Sequence, residues 1–112
     1  MVVEKKVIGD VIVVDVKKNL MGGLETNECR EMVKNLIAKG HKNLVINLSD
    51  AKRVNSMGLG MLMACYNLLR KSGGNMKIAG TSEKVNSLLT MTKLITIFER
   101  YKTIDLAIES FH

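Results

Sequence analysis

The sequence contains no proline and no tryptophan, and only two Phe and two Tyr. The missing proline excludes a Pro-rich linker or a PxxP-type recognition segment. The scarcity of rings means that the core has to be aliphatic, built from Leu, Ile, Val and some of the eight Met. Cysteine is equally sparse. Cys29 and Cys65 form no CxxC pair and follow no secretory signal, so they read as two reduced thiols of a cytoplasmic protein. His41 and His112 have no Cys, Asp or Glu companions at ligand spacing, which leaves no metal site to expect. No uninterrupted apolar run is long enough to cross a bilayer, so no membrane association is expected.

What is present suits one compact domain over residues 1–112: 46% apolar residues and a formal charge of +6. The excess positive charge invites a nucleic-acid reading. The basic residues are scattered as pairs, however: Lys5-Lys6, Lys17-Lys18, Lys52-Arg53 and Arg70-Lys71. Stacking aromatics do not accompany them. A solvated surface or an acidic protein partner is the expectation, with no direct nucleic-acid contact.

Along the chain, β-branched runs at 2–8 and 11–16 flank Gly9-Asp10 and predict an antiparallel hairpin. A loop containing Gly22-Gly23 leads to a helix over 24–39, with Met32, Val33, Leu36 and Ile37 on one face and Thr26 or Asn27 as its cap. The apolar run 44–48 is a third strand, parallel to the second through a right-handed crossover. A second helix covers 57–72, a fourth strand 76–79, and a third helix 83–91, capped by Ser82 with Val85, Leu88 and Leu89 inward. A short edge strand falls within 95–101. A last helix, 104–110, is capped by Thr103, with Leu106 and Ala107 packing. The order predicts an α/β domain: a mixed sheet of four to five strands, opened by an antiparallel hairpin and packed against about four helices.

The stretch 44–64, LVINLSDAKRVNSMGLGMLMA, organises the rest. An apolar strand runs through a polar turn into a helix opened by Asn55, Ser56, Gly58 and Gly60. Two glycines allow close approach of another backbone or surface. Ser56 stands where a helix begins, so its hydroxyl either caps free N–H groups or accepts a phosphoryl group. The following helix is apolar nearly all round, which fits deep burial or a surface kept for a partner. Signals for catalysis fail. Gly58-Leu59-Gly60 has Met63 where a dinucleotide fingerprint needs its third glycine, there is no Walker loop, and Ser56 is in no GxSxG. No catalytic residues or cofactor are expected.

The same stretch resembles the strand-turn-helix signature of STAS domains, the family that includes anti-sigma factor antagonists. Gly22-Gly23-Leu24-Glu25 is similar to the family's entry to the first helix. Leu69 to Gly74 followed by Met76-Lys77-Ile78 is similar to its helix-to-strand link. Val85 to Leu94 resembles its third helix, and Ile97-Phe98 with Thr103 to Ala107 its closing segment. The resemblance implies a bacterial regulator of transcription without enzymatic activity. It would bind an anti-sigma factor, often a serine kinase, and so release a sigma factor. Phosphorylation of the serine matching Ser56 would block binding, and a phosphatase would restore it. The docking surface is then expected to comprise Asn55, Ser56, Met57, Gly58, Leu59 and Met61, with Gly22 and Gly23. Asn55 and Asn47 replace aspartates usual in the family, Met57 replaces a small residue, and Lys52-Arg53 puts charge in a turn usually apolar. Asn55 removes a negative charge beside the acceptor. The alternatives are an unphosphorylated STAS scaffold or signalling subunit, and a small nucleotide-binding protein using Gly58 and Gly60.

Overall fold

Gly9 adopts a left-handed φ of +62°, which lets the chain reverse in two residues. It joins β1 (Val3–Ile8) to β2 (Val11–Val16), paired antiparallel from Ile8 opposite Val11 to Val3 opposite Val16. A computed structural model describes residues 3–112, so the expected start of the first strand at Val2 lies outside the described residues. After the hairpin, α1 (Leu24–Ala38), β3 (Asn43–Asn47), α2 (Ser56–Lys71), β4 (Asn75–Ala79) and α3 (Glu83–Met91) alternate. A single 3-10 turn at Leu94–Thr96, the two-residue β5 (Arg100–Tyr101) and α4 (Ile104–Glu109) close the chain.

The five strands lie in the order β1-β2-β3-β4-β5. From β2 onward every neighbour is parallel, because each connection passes through a helix or a long crossover. The sheet is mixed as the sequence predicts, with β1 as its antiparallel edge. β2 is buried at all six positions, which its unbroken run VIVVDV requires, since both sheet faces are covered there.

One face carries the main core. Ile12, Val14, Leu44, Ile46, Met76 and Ile78 meet α1 through Val33 and Leu36, α2 through Leu62 and Leu69, and α3 through Val85 and Leu89. Each such side chain contributes about 1.5–3 kcal/mol on burial. Tyr66 and Phe98 supply one edge-to-face aromatic pair, with centroids 5.3 Å apart. The opposite face is covered by α4 and the residues after it, where Ala107, Ile104, Ile108 and Phe111 meet Val11, Val13 and Val45. Lys77 points into that thinner layer and is only 5% exposed. Its ammonium is satisfied by Ser110 O at 3.1 Å, Ser110 Oγ at 2.7 Å and Glu99 at 3.5 Å, and lies 4.3 Å from the Phe111 ring centroid.

Three local expectations are corrected. Neither Thr26 nor Asn27 caps α1: Gly23 is its N-cap, and the Thr26 hydroxyl accepts from Gly22 N at 2.8 Å instead. Leu106 is exposed, leaving Ala107 to pack. Leu88 is only partly buried, because Val85 and Leu89 already fill the inward face of a short helix. The thiols of Cys29 and Cys65 are free and buried where α1 meets α2. Burial pushes the Cys29 thiol up to about 12, with help from Cys65, and the Cys65 thiol up to about 11.

Candidate docking site at the mouth of the second helix

Two loops meet at the carboxyl end of the sheet, and backbone pairing zips them together. The first, 17–23, follows β2; the second, 48–55, follows β3. Leu20 and Val54 form an isolated parallel bridge, with Leu20 N donating to Arg53 O at 3.0 Å and Asn55 N to Leu20 O at 3.2 Å. Asn19 adds a side-chain bond, accepting from Arg53 N at 3.0 Å. Gly58 presses its α-carbon against this bridge: a Cβ there would come within 2.2 Å of Leu20 O. The close approach inferred for this glycine is therefore made by the protein's own backbone. Gly22, at a left-handed φ of +91°, lies under Met57, whose sulfur is 2.7 Å from where a Gly22 Cβ would stand.

The cap of α2 belongs to Asn55. Its Oδ1 accepts from Gly58 N at 3.0 Å, and its amide donates to Met21 O at 2.9 Å. Ser56 becomes the first helical residue, exposed and free of the capping duty that was one of its two expected roles. At that position its oxygen stands beside the unsatisfied N–H groups and the positive end of the helix dipole.

Of the eight residues expected at the docking surface, the structure brings Asn55, Ser56, Met57, Gly22 and Gly23 together at the surface. Met57 is 63% exposed. Gly58, Leu59 and Met61 are corrected: all three are buried, Gly58 against the Leu20 backbone, and Leu59 and Met61, at 4% and 2% exposure, in the main core. A helix with apolar residues on every side hides which of them face the sheet. Sequence reasoning also missed two members of the rim. Met21 is 48% exposed and Leu24 74% exposed, flanking the two glycines. Their signal was the apolar character of residues bracketing Gly22-Gly23 in an otherwise polar loop. Exposed Gly60 and Ala64 lie in a shallow hollow of about 460 Å³ between α1 and α2, beside Met57. Among the described residues no cluster of His, Cys, Asp or Glu is arranged to hold a metal. None of their helices is long and apolar enough to cross a membrane.

The departure at Asn47 has a local cause. Asn47 sits opposite Asp15 in the β2–β3 register, and its amide donates to Asp15 Oδ1 at 2.7 Å. Asp15 is buried, with Lys6 at 3.5 Å as its ion-pair partner. A second carboxylate at position 47 would face the first, whereas the amide satisfies it. The Asn47 oxygen meanwhile accepts from Ser49 N and Oγ, ordering the start of the second loop.

A small α/β domain whose apolar rim surrounds an exposed serine at a helix N-terminus is thus defined. The family model described as STAS domain matches residues 2–107, and the chain belongs to that family. It is 32% identical over 71 residues to a candidate anti-sigma factor antagonist of Thermotoga maritima, a match spanning 63% of each chain. It is 26% identical over 87 residues to the anti-sigma-B factor antagonist of Bacillus subtilis, across 76% of this chain and 80% of that one. The crystal structure of a candidate anti-sigma factor antagonist from Thermotoga maritima superimposes with a TM-score of 0.88 at 27% identity. That likeness covers 96% of this chain and 92% of the other.

Proposed function

We propose that this domain is an anti-sigma factor antagonist: it docks on an anti-sigma factor through the rim around Ser56 and thereby frees a sigma factor. The observation that carries the reading is the placement of Ser56. It is exposed at the first position of α2, while Asn55 does the capping. Its hydroxyl is therefore open to a kinase. The names of its relatives support the same reading.

A phosphoryl group on Ser56 adds a charge of about −1.5 to −2 and three strong acceptors. The helix N-terminus tolerates it, with a gain of about 0.3–1 kcal/mol at an exposed site. A partner seated on Met57, Met21 and Leu24 would instead have to desolvate that charge against an apolar rim. The switch thus leaves the fold intact and closes the interface. A serine kinase, most economically the anti-sigma factor itself, closes it, and a serine phosphatase reopens it. The setting is cytoplasmic, the partner is a protein, and no catalytic step falls to this chain.

Binding by the anti-sigma factor of the same host tests this. Ser56→Ala is expected to bind like wild type and Ser56→Asp to lose most binding. Equal binding by all three removes the switch, and no binding by any removes the antagonist reading. Asn55 favours a second reading, a scaffold subunit that is never phosphorylated, because it withholds the carboxylate usual beside the acceptor. The intact mass of the protein from its native host separates the two.

A further inference from the structure

At the carboxyl ends of β3, β4 and β5 lies a separate cleft of about 650 Å³, on the far side of the second loop from the Met57 rim. Ser49, Gly80, Thr81 and Lys102 line it directly after their strands, joined by Lys52 from the loop and by Arg100. Open parallel sheets characteristically receive ligands outside the carboxyl ends of their strands. The volume falls in the range of small-molecule sites and far exceeds what a single inorganic ion fills.

The charge of the cleft is one-sided. It is lined by three cationic side chains, Lys52, Arg100 and Lys102, and by no carboxylate. None of the three has an ion-pair partner among the described residues. Of the acids next to these residues in sequence, Asp50 reaches Lys17 at 4.0 Å, Glu99 pairs with Lys77 at 3.5 Å, and Glu83 lines a different hollow with Ser87 and Met91. Uncompensated cations held close together repel one another, so the arrangement is relieved by an anion.

The walls are also held in place. Asn86 Oδ1 accepts from Thr81 Oγ1 at 2.7 Å and from Arg100 Nη1 at 2.6 Å, so one side chain positions both a hydroxyl and a guanidinium. Arg100 keeps its remaining N–H groups for a ligand. Ser82 Oγ donates to Lys52 O at 2.8 Å and ties the second loop to the start of α3. Gly80, at a φ of +71°, has no Cβ to displace the Ser49 hydroxyl that packs against it. Two lysines as mobile point charges, an oriented guanidinium and hydroxyls around them match a phosphate group. The surplus volume matches a small organic body attached to it.

We infer that this cleft binds a small phosphate monoester, held by Lys52, Arg100 and Lys102. The inference is independent of Ser56 and of any anti-sigma factor.

The test is an NMR titration of the isotope-labelled full chain with ribose 5-phosphate at physiological salt, with ribose, inorganic phosphate and sulfate as separate arms. Saturable shifts are expected for the amides of Ser49, Lys52, Thr81, Ser82 and Lys102, with half-saturation at about 1 mM. Ribose alone should shift nothing, and inorganic phosphate should move the same amides with weaker affinity. Lys52→Gln combined with Lys102→Gln should weaken binding about tenfold or more, as should Arg100→Gln, whereas Lys39→Gln just after α1 should leave it unchanged. Absence of saturable shifts, or shifts spread over every lysine-bearing surface, overturns the site. Inorganic phosphate or sulfate binding as tightly as the ester overturns the ligand class.

Discussion

Asn55 donates its side-chain amide to the carbonyl of Met21 across the two loops, while its oxygen caps α2 through Gly58 N. An aspartate can do only the second of these. The residue common in the family would improve the charge at the helix N-terminus and lose the tie to the first loop.

Asn55→Asp is therefore expected to lower stability by about 1 kcal/mol, since the lost donor and a carboxylate facing the Met21 carbonyl outweigh the dipole gain. Urea unfolding measures the loss. Hydrogen exchange at Gly22 and Gly23 should quicken in the variant. Unchanged exchange there would show that the tie does not order the loop.

The two glycines of the α2 opening should behave oppositely. Gly58→Ala drives a methyl against Leu20 O and should cost about 3 kcal/mol or leave the chain unfolded. Gly60→Ala meets nothing within 4 Å and should stabilise by about 0.5–1 kcal/mol through helix propensity. Thermal melts of both variants decide it.

Cys29 and Cys65 should resist a thiol-exchange reagent at mildly alkaline pH and react at once in denaturant, because only the thiolate is nucleophilic and burial suppresses it. Both thiols keep their protons longer folded than unfolded. Stability should fall as the pH rises through the ordinary thiol value of 9.0, and Cys29→Ser with Cys65→Ala should flatten that decline. Rapid labelling of the folded protein would count against close packing between α1 and α2.

Glu99 ties β5 to β4, accepting from Tyr101 OH at 2.9 Å and Asn75 Nδ2 at 3.1 Å and pairing with Lys77 at 3.5 Å. Burial by itself pushes its carboxyl up, but hydrogen bonds from Tyr101 and Asn75 and the Lys77 ammonium prevail and hold it below the ordinary carboxylate value. A depressed carboxyl stabilises above its unfolded pKa, and that contribution is lost as pH falls through the folded one. Glu99→Gln should accordingly weaken the acid dependence of unfolding. Lys77→Met should be tolerated better than Lys77→Ala, since the stem fills the layer beneath Phe111. Equal losses in the two variants would deny the stem any packing role.

The elements were readable because their signals are local. β-branched runs around Gly9, a 3.6-residue stripe through Val33 and Leu36, and Ser82 and Thr103 as caps each depend on a few neighbouring residues. The rim was readable only in part. Ser56 and Met57 announced themselves, but the inward turn of Leu59 and Met61 depends on where the sheet lies, and the first turns of a helix apolar nearly all round carry no stripe to reveal it. The Leu20–Val54 bridge joins residues more than thirty apart and leaves no periodic trace. The same holds for the cleft: Lys52, Arg100 and Lys102 converge only because parallel strands end side by side.

That bridge decides how a visitor is received. With Leu20 stitched to Val54 and Gly58 wedged against the seam, the rim is in effect a continuation of the sheet and shares its rigidity. An incoming protein meets a surface already set, and association forfeits little disorder on this side. Whatever turns such a surface on or off has to alter its chemistry, because its shape has nowhere to go.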